Sequence, residues 1–435
     1  MIRLALPVYV ELLTAVVAVS VIDLLWVSGL GPEAIATVTV ATTLEYLAYG
    51  VFLAIPFGLT VVVGRLDGRA PLGPAIRSGW ALWAAASAVI VIPALLLRHV
   101  LALGTHAEGF LLISLGGLPV YFAQTVADGI VKGLGNTRIP MRNALICNAL
   151  VIALDPLCIY GLGLGVNGAA WATLAARAIT LAVSCRTLVR LTRPGAHNGS
   201  SAEATRPGAR TTGHRSSAEA MLENAGNIMK AGLPMSGDFL ARDIVGWLQT
   251  GLVASFGTAA LAGFGIGQKI MLAGVMAFYA LKQAAMIQTA RSQASGSPLW
   301  LGLGAGVVVA AGLNLLAVPA AGLFTADPEA AVSYLRWMAL YLVPFGGLIA
   351  VGGRMQADGR GGRLLAATLA GFAVQLPLAY LLSARIGVTG VWLASAAGAV
   401  VSLAGVLARR GSAPATAPGR GPRSTRTAAA PPSGR

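Results

Sequence analysis

Apolar residues in this chain come in long, nearly unbroken runs rather than in the short alternations of strands or half-buried helices. Twelve runs can be placed, at roughly 4–29, 33–63, 75–97, 109–131, 140–161, 166–189, 228–255, 259–289, 299–323, 330–354, 364–384 and 388–408. An α-helix needs ~20 mostly apolar residues to cross a bilayer core, so each run predicts one transmembrane helix. The expected fold class is an all-α polytopic membrane protein in two six-helix lobes, 1–190 and 228–408. The polar stretch 191–227 reads as a linker, and the Pro/Ala/Gly/Arg-rich residues 409–435 read as a disordered basic tail.

The two halves repeat. Leu6-Pro7 matches Leu233-Pro234, Gly31 matches Gly257, Arg65 matches Arg291, and LGVNGAAWA (164–172) matches IGVTGVWLA (386–394), all at a nearly constant offset. An even number of spans per half gives both repeats the same orientation. That implies an axis along the membrane normal, a transporter architecture with a central cavity between two bundles. Basic residues set the orientation. Arg65, Arg69 and Arg77, then Lys132, Arg138 and Arg142, then the linker, Arg291, Arg354, Arg360, Arg363 and the tail fall on alternate loops. The opposite loops carry only Arg98 and Arg385, so both termini and the linker are expected on the cytoplasmic side of the membrane.

Composition agrees with the pattern: 56% of residues are hydrophobic and only 11% charged, against about 25% charged in ordinary soluble domains. The formal charge of +15 is dispersed over loops and the tail. It suits anionic lipid and does not point to nucleic acid. Cys147, Cys158 and Cys185 have no metal or redox spacing. The expected partners are a small organic substrate and membrane lipid, with the chain acting as a monomer.

Ionisable residues inside spans are expensive and are by default functional. Asp128 precedes Lys132 by one helical turn, and Asp238 precedes Arg242 likewise, so each reads as an i,i+4 ion pair. Glu11 is the repeat counterpart of Asp238. Glu45, Lys269 and the adjacent Gln268 lie deeper and are candidates for the substrate cavity. Asp23 and Asp155 have no basic residue nearby in sequence and stand at matching distances from the outer ends of spans one and five. At ~1.5 Å per residue both lie roughly 10 Å below the outer surface, with Thr173 of span six at a similar depth. Two carboxyls sharing a low-dielectric site do not both ionise cheaply, so the set suits reversible proton binding, or sodium with further oxygens. The second-half positions matching the two acids are Gln249 or Thr250, and Leu376, which confines the expected cation site to the first half. Pro156 follows Asp155 directly, removes a backbone donor and makes that helix bendable beside the acid.

The stretches VIDLLWVSGLG (21–31), DGIVKGLGNTRIPM (128–141), LDPLCIYGLGLGVNGAAWAT (154–173) and AALAGFGIGQKI (259–270) resemble the multidrug and toxic compound extrusion (MATE) family, in its DinF-like bacterial branch. The resemblance covers about residues 1–408 without the linker interior. It implies two six-helix lobes in a V, exporting organic compounds in exchange for H⁺ or Na⁺, with a cation site at Asp23, Asp155 and Thr173. Where the family often has an asparagine one turn before the second aspartate, this chain has Val151, with Asn148 a turn further away. The resemblance therefore points to protons before sodium, and to no cofactor beyond the coupling ion.

The function expected is export of amphipathic, drug-like or cationic molecules or metabolites. The alternative is a flippase for lipid-linked precursors, which would line its cavity with several basic residues to hold pyrophosphate. An enzyme is not expected, because neither a GxGD nor a DDxxD motif occurs.

Overall fold

The computed structural model describes residues 1–18, 26–27, 29–30, 32–67, 69–101, 108–192, 217–293, 296–325 and 327–408. Helix α1 (Ile2–Leu12) continues as a π-helix, Leu13–Ala18. It is followed by α2 (Pro32–Phe52), α3 (Ala54–Leu66), α4 (Gly73–Leu96), the short α5 (Arg98–Leu101), α6 (Glu108–Gly133), α7 (Arg138–Pro156) and α8 (Val166–Thr192). The second half comprises α9 (Ser217–Ala254), α10 (Thr258–Ala290), α11 (Pro298–Gly322), α12 (Glu329–Ala357), α13 (Gly361–Ile386) and α14 (Val388–Ala408). Among the described residues, ten helical segments are long and apolar enough to cross a membrane, with α2 and α3 together forming one of them. The other two expected spans are the first, described in part, and α9, which carries Asp238, Arg242 and Asp243 in its middle. Helix α9 starts at Ser217, so residues 217–227, read from sequence as linker, are its opening turns. The rest of the linker and the tail lie outside the described residues.

Prolines explain the two main irregularities. Pro56 lacks the N–H that would bond the carbonyl of Phe52, and the helix breaks there into α2 and α3. Pro156 withholds a donor from Ile152 in the same way, and α7 widens immediately into a π-turn, Leu157–Gly161. That turn closes with a bond of 2.7 Å from the Leu162 N–H to the Leu157 carbonyl.

Each half has its own apolar core. In the first, Phe52 stacks on Phe122 at 4.0 Å. In the second, Phe264, Tyr334 and Trp392 pack together, the Phe264 and Trp392 rings 5.3 Å apart. The halves exchange their first helices: α1 packs on α10, and α9 packs on α3 and α4. The α9 crossing is very close. A Cβ at Gly58 would strike the Ile228 carbonyl, and one at Gly232 would strike that of Ala54.

At the basic end of the bundle the halves are also fastened by a reciprocal pair of arginines. Arg65 Nη2 donates to the carbonyl of Ala357 at the end of α12. Its repeat counterpart Arg291 reaches the Gly133 carbonyl at the end of α6, at 3.4 Å, and the Asp67 carboxylate at 2.5 Å. The turns behind those carbonyls match as well, each with a left-handed glycine, Gly135 at φ 82° and Gly359 at φ 75°. The chain is thus a pseudo-symmetric pair of helical bundles, joined at the basic end.

Candidate functional site

The stripe Asn148, Val151, Asp155 and Ile159 runs down one side of α7 at helical spacing, and all four are buried. Asp155 is fully enclosed, 0% exposed. Asn148 lies two turns before it, and its Nδ2 makes no hydrogen bond among the described residues. Thr173 is half-buried on α8, the helix packed along α7. Asp23 lies outside the described residues. The structure therefore brings Asp155 and Asn148 onto one buried face, with Thr173 on the adjoining helix.

The π-turn after Pro156 has a mechanical link. Tyr160, within that turn, donates its hydroxyl to the Trp26 carbonyl at 2.7 Å, and the two rings meet edge to face. The turn that follows Asp155 is thereby tied to the described residues 26–27 of the first span.

The second half holds a neutral counterpart. The buried positions 151, 155 and 159 recur as 371, 375 and 379. Gln375, rather than Leu376 as the sequence match suggested, therefore stands where Asp155 does. The proline shifts by one position between the halves, which displaced the match. Gln375 Nε2 donates to Ser395 Oγ at 3.4 Å, and Gln249 Nε2 donates to the same oxygen at 2.8 Å. Ser395 is the counterpart of Thr173 and passes its own proton to the Val391 carbonyl at 2.9 Å. Two amides and a hydroxyl thus fill in the second half the place where Asp155 and Thr173 stand in the first.

Other intramembrane charges find partners that spacing did not predict. Lys132 does not pair with Asp128; its Nζ donates to Glu11 Oε1 at 2.7 Å, bridging α6 to α1. Asp128 instead accepts from Gln124 Nε2 at 3.1 and 3.0 Å. Gln124 and Asn143 both donate to Ser184 at 2.8 Å, so a polar layer ties α6, α7 and α8. Glu45 faces Arg177 at 3.8 Å, and that guanidinium lies 4.4 Å from the centre of the Tyr121 ring. Tyr121 contacts Tyr49, which meets Phe239 of α9 edge to face, an aromatic bridge between the halves. Lys269 and Gln268 are exposed on α10, outside these buried clusters.

The Asp238–Arg242 pair is present, with Arg242 Nη2 at 3.0 Å and Nε at 3.2 Å from the two carboxylate oxygens. Lys282 of α10 adds a second cation, 3.7 Å from Asp238 Oδ2. Sequence reading missed Arg177 and the joining of Lys282 to this pair. The usable signal for Arg177 was an arginine at the middle of the apolar run of span six.

Comparison with known proteins adds the following. The model of the MatE family matches residues 7–157 and 234–381. An FAD transporter of Shewanella oneidensis is 24% identical over 91% of this chain and 90% of its own length. Protein DETOXIFICATION 44, chloroplastic, of Arabidopsis thaliana is 28% identical over 51% of this chain, a match that spans 41% of that relative. Among solved structures, a Vibrio cholerae MATE transporter superposes with a TM-score of 0.81 at 18% identity, covering 94% of this chain and 95% of that one.

Proposed function

The chain belongs to the MatE family, and from that premise we propose that it exports amphipathic drugs or metabolites across the bacterial cytoplasmic membrane in exchange for H⁺. It is a multi-pass membrane transporter; the coupling ion, the substrate and the cytoplasmic placement of both termini are the proposed parts.

One observation carries the coupling: Asp155 is fully buried in the first half, and its counterpart Gln375 is a hydrogen-bonded amide. The repeated scaffold needs a polar side chain at this position but not an acid. The acid then has a task that only the first half performs, and proton uptake is what a carboxylate does that an amide does not. Asn148 offers an amide two turns away, a sparse donor set for sodium.

Conformational response follows from the local helix. Protonation removes a buried charge at Asp155. The adjoining Pro156 and π-turn supply a segment with a weakened hydrogen-bond ladder, where a change of packing costs least. Tyr160 transmits movement of that turn to Trp26 and the outer end of the first span. The arginine pair at the basic end holds the cytoplasmic side together, so the described state has its lobes joined on the cytoplasmic side. Alternating access requires those bonds to break while the outer ends approach.

The test is efflux from proteoliposomes under an imposed pH gradient or an imposed sodium gradient. Wild type is expected to respond to the pH gradient, and Asp155→Asn to lose at least ~90% of that response while still binding substrate. Full coupled transport by the variant overturns the site, and full transport driven by sodium alone overturns the proton assignment.

A further inference from the structure

The second half encloses a cluster with more positive than negative charge. Asp238 is 2% exposed, and both its oxygens are taken by the Arg242 guanidinium. A carboxylate gripped in this bidentate way has its charge compensated. Lys282 is nevertheless buried beside it, 0% exposed. Its Nζ makes no hydrogen bond among the described residues, and Asp238 Oδ2 stands beyond hydrogen-bond distance at 3.7 Å. The Tyr279 ring, its centre 5.9 Å from Nζ, and the distant Asp238 carboxylate offset its charge only in part and accept no hydrogen bond from it. The protein retains it although Asp238 does not require a second cation.

The surroundings describe what completes the cluster. The Arg242 guanidinium lies 5.1 Å from the centre of the Phe345 ring and 5.7 Å from that of Phe372. Its Nη2 also approaches Thr368 Oγ1 at 3.5 Å. The Arg242 side chain is 15% exposed, against 3% for Asp238 and 1% for Lys282, so the arginine is the more accessible of the two cations. Asp243, the next acid on α9, is exposed. Two cations against one carboxylate, with the flat rings of Phe345 and Phe372 beside them, are the chemistry that suits an anion carried on an aromatic framework.

The geometry points to a substrate subsite in the second half, at Lys282 and Arg242, that takes the carboxylate or phosphate of an aromatic anion. This deepens the exporter reading and rests on it. It moves the expected substrate charge from cationic toward anionic or zwitterionic. The first half carries the buried acid of the proposed proton site and the second half the surplus base, so proton and substrate anion occupy different lobes.

A pair of ligands with the same ring and opposite charge tests this on the full-length protein in detergent, without any gradient. Binding of 1-naphthoate and of 1-naphthylmethylammonium is measured by fluorescence titration at neutral pH. Wild type is expected to bind the carboxylate at least ~10-fold more tightly, since a hydrogen bond to a charged group contributes about one to two decades of affinity. Lys282→Met, checked for a monodisperse elution profile, is expected to weaken naphthoate by ~10-fold or more and to leave the ammonium unchanged. Equal or tighter binding of the ammonium by wild type overturns the proposal, as does undiminished naphthoate binding by a folded Lys282→Met. The wild-type comparison stands even where that variant does not fold. Failure here, with pH-driven efflux of a cationic dye intact and dependent on Asp155, removes the anion subsite and leaves the exporter reading in place.

Discussion

A buried polar side chain in a membrane helix is costly unless its neighbours satisfy it, and the second half of this protein shows how they do. Gln249, Gln375 and Ser395 satisfy one another. Their removal is a matter of stability: Gln375→Ala is expected to cost about 1 kcal/mol, read as a lower thermal midpoint in detergent, with pH-coupled efflux within ~3-fold of wild type. Loss of coupling in Gln375→Ala would show that the second half shares the ion's work. Asp155 was legible in the sequence because a charge in an apolar run stands out by composition alone. Partnerships were less legible. Helical spacing reports only neighbours on the same helix, so it offered Asp128 to Lys132, whereas the lysine reaches across to Glu11 on α1. Glu45 meets Arg177 from a helix distant in sequence, and no local pattern encodes that meeting.

Elements in this fold are shaped by where donors are missing and where side chains are absent. Apart from α9, which begins well ahead of its apolar run, and the first span, described in part, the runs match the helices to within a few residues, because hydrophobic length is a property of a single segment. Proline positions were visible too, but that Pro156 opens a π-turn, and that the turn is held by Tyr160, depends on packing against the first span. The closeness of α9 to α3 depends on Gly58 and Gly232, two among many glycines in the chain, and only their contacts single them out. Gly232→Val is expected to force these helices apart. Overpacking of this kind costs about 1–3 kcal/mol, which a thermal-shift measurement in detergent resolves. The control is Gly246→Val on the same helix, where no atom lies within 4 Å of an added Cβ. Equal loss in both would mean that the cost arises from the β-branched residue itself rather than from the crossing.

At the scale of the whole molecule, the repeat supplies a reciprocal fastening of the two halves. Arg65 and Arg291 were visible as a matched pair in the sequence, where they served only to set orientation. In the structure each crosses to the other half and ends on the carbonyl that closes a helix. Helix C-termini attract cations, and a guanidinium bonded there gains from both the carbonyl and the aligned peptide dipoles. Under the proposed alternating access these contacts are the ones that must break when the halves separate at the basic end. The two bonds are not equivalent, since Asp67 reinforces Arg291, and the residue at the matching place in the second half is Gln293. Removing Asp67 alone should therefore shift the equilibrium less than removing both arginines. With spin labels on the loops after α3 and α10, wild type is expected to give a narrow, short distance distribution at the cytoplasmic end. Arg65→Gln combined with Arg291→Gln is expected to add a longer-distance population, and Asp67→Asn a smaller one. The double variant should also efflux more slowly, because its cytoplasmic side no longer stays shut while the substrate leaves outward. An unchanged distribution in the double variant would mean that the helix crossing at Gly58 and Gly232 holds the lobes together without the arginines.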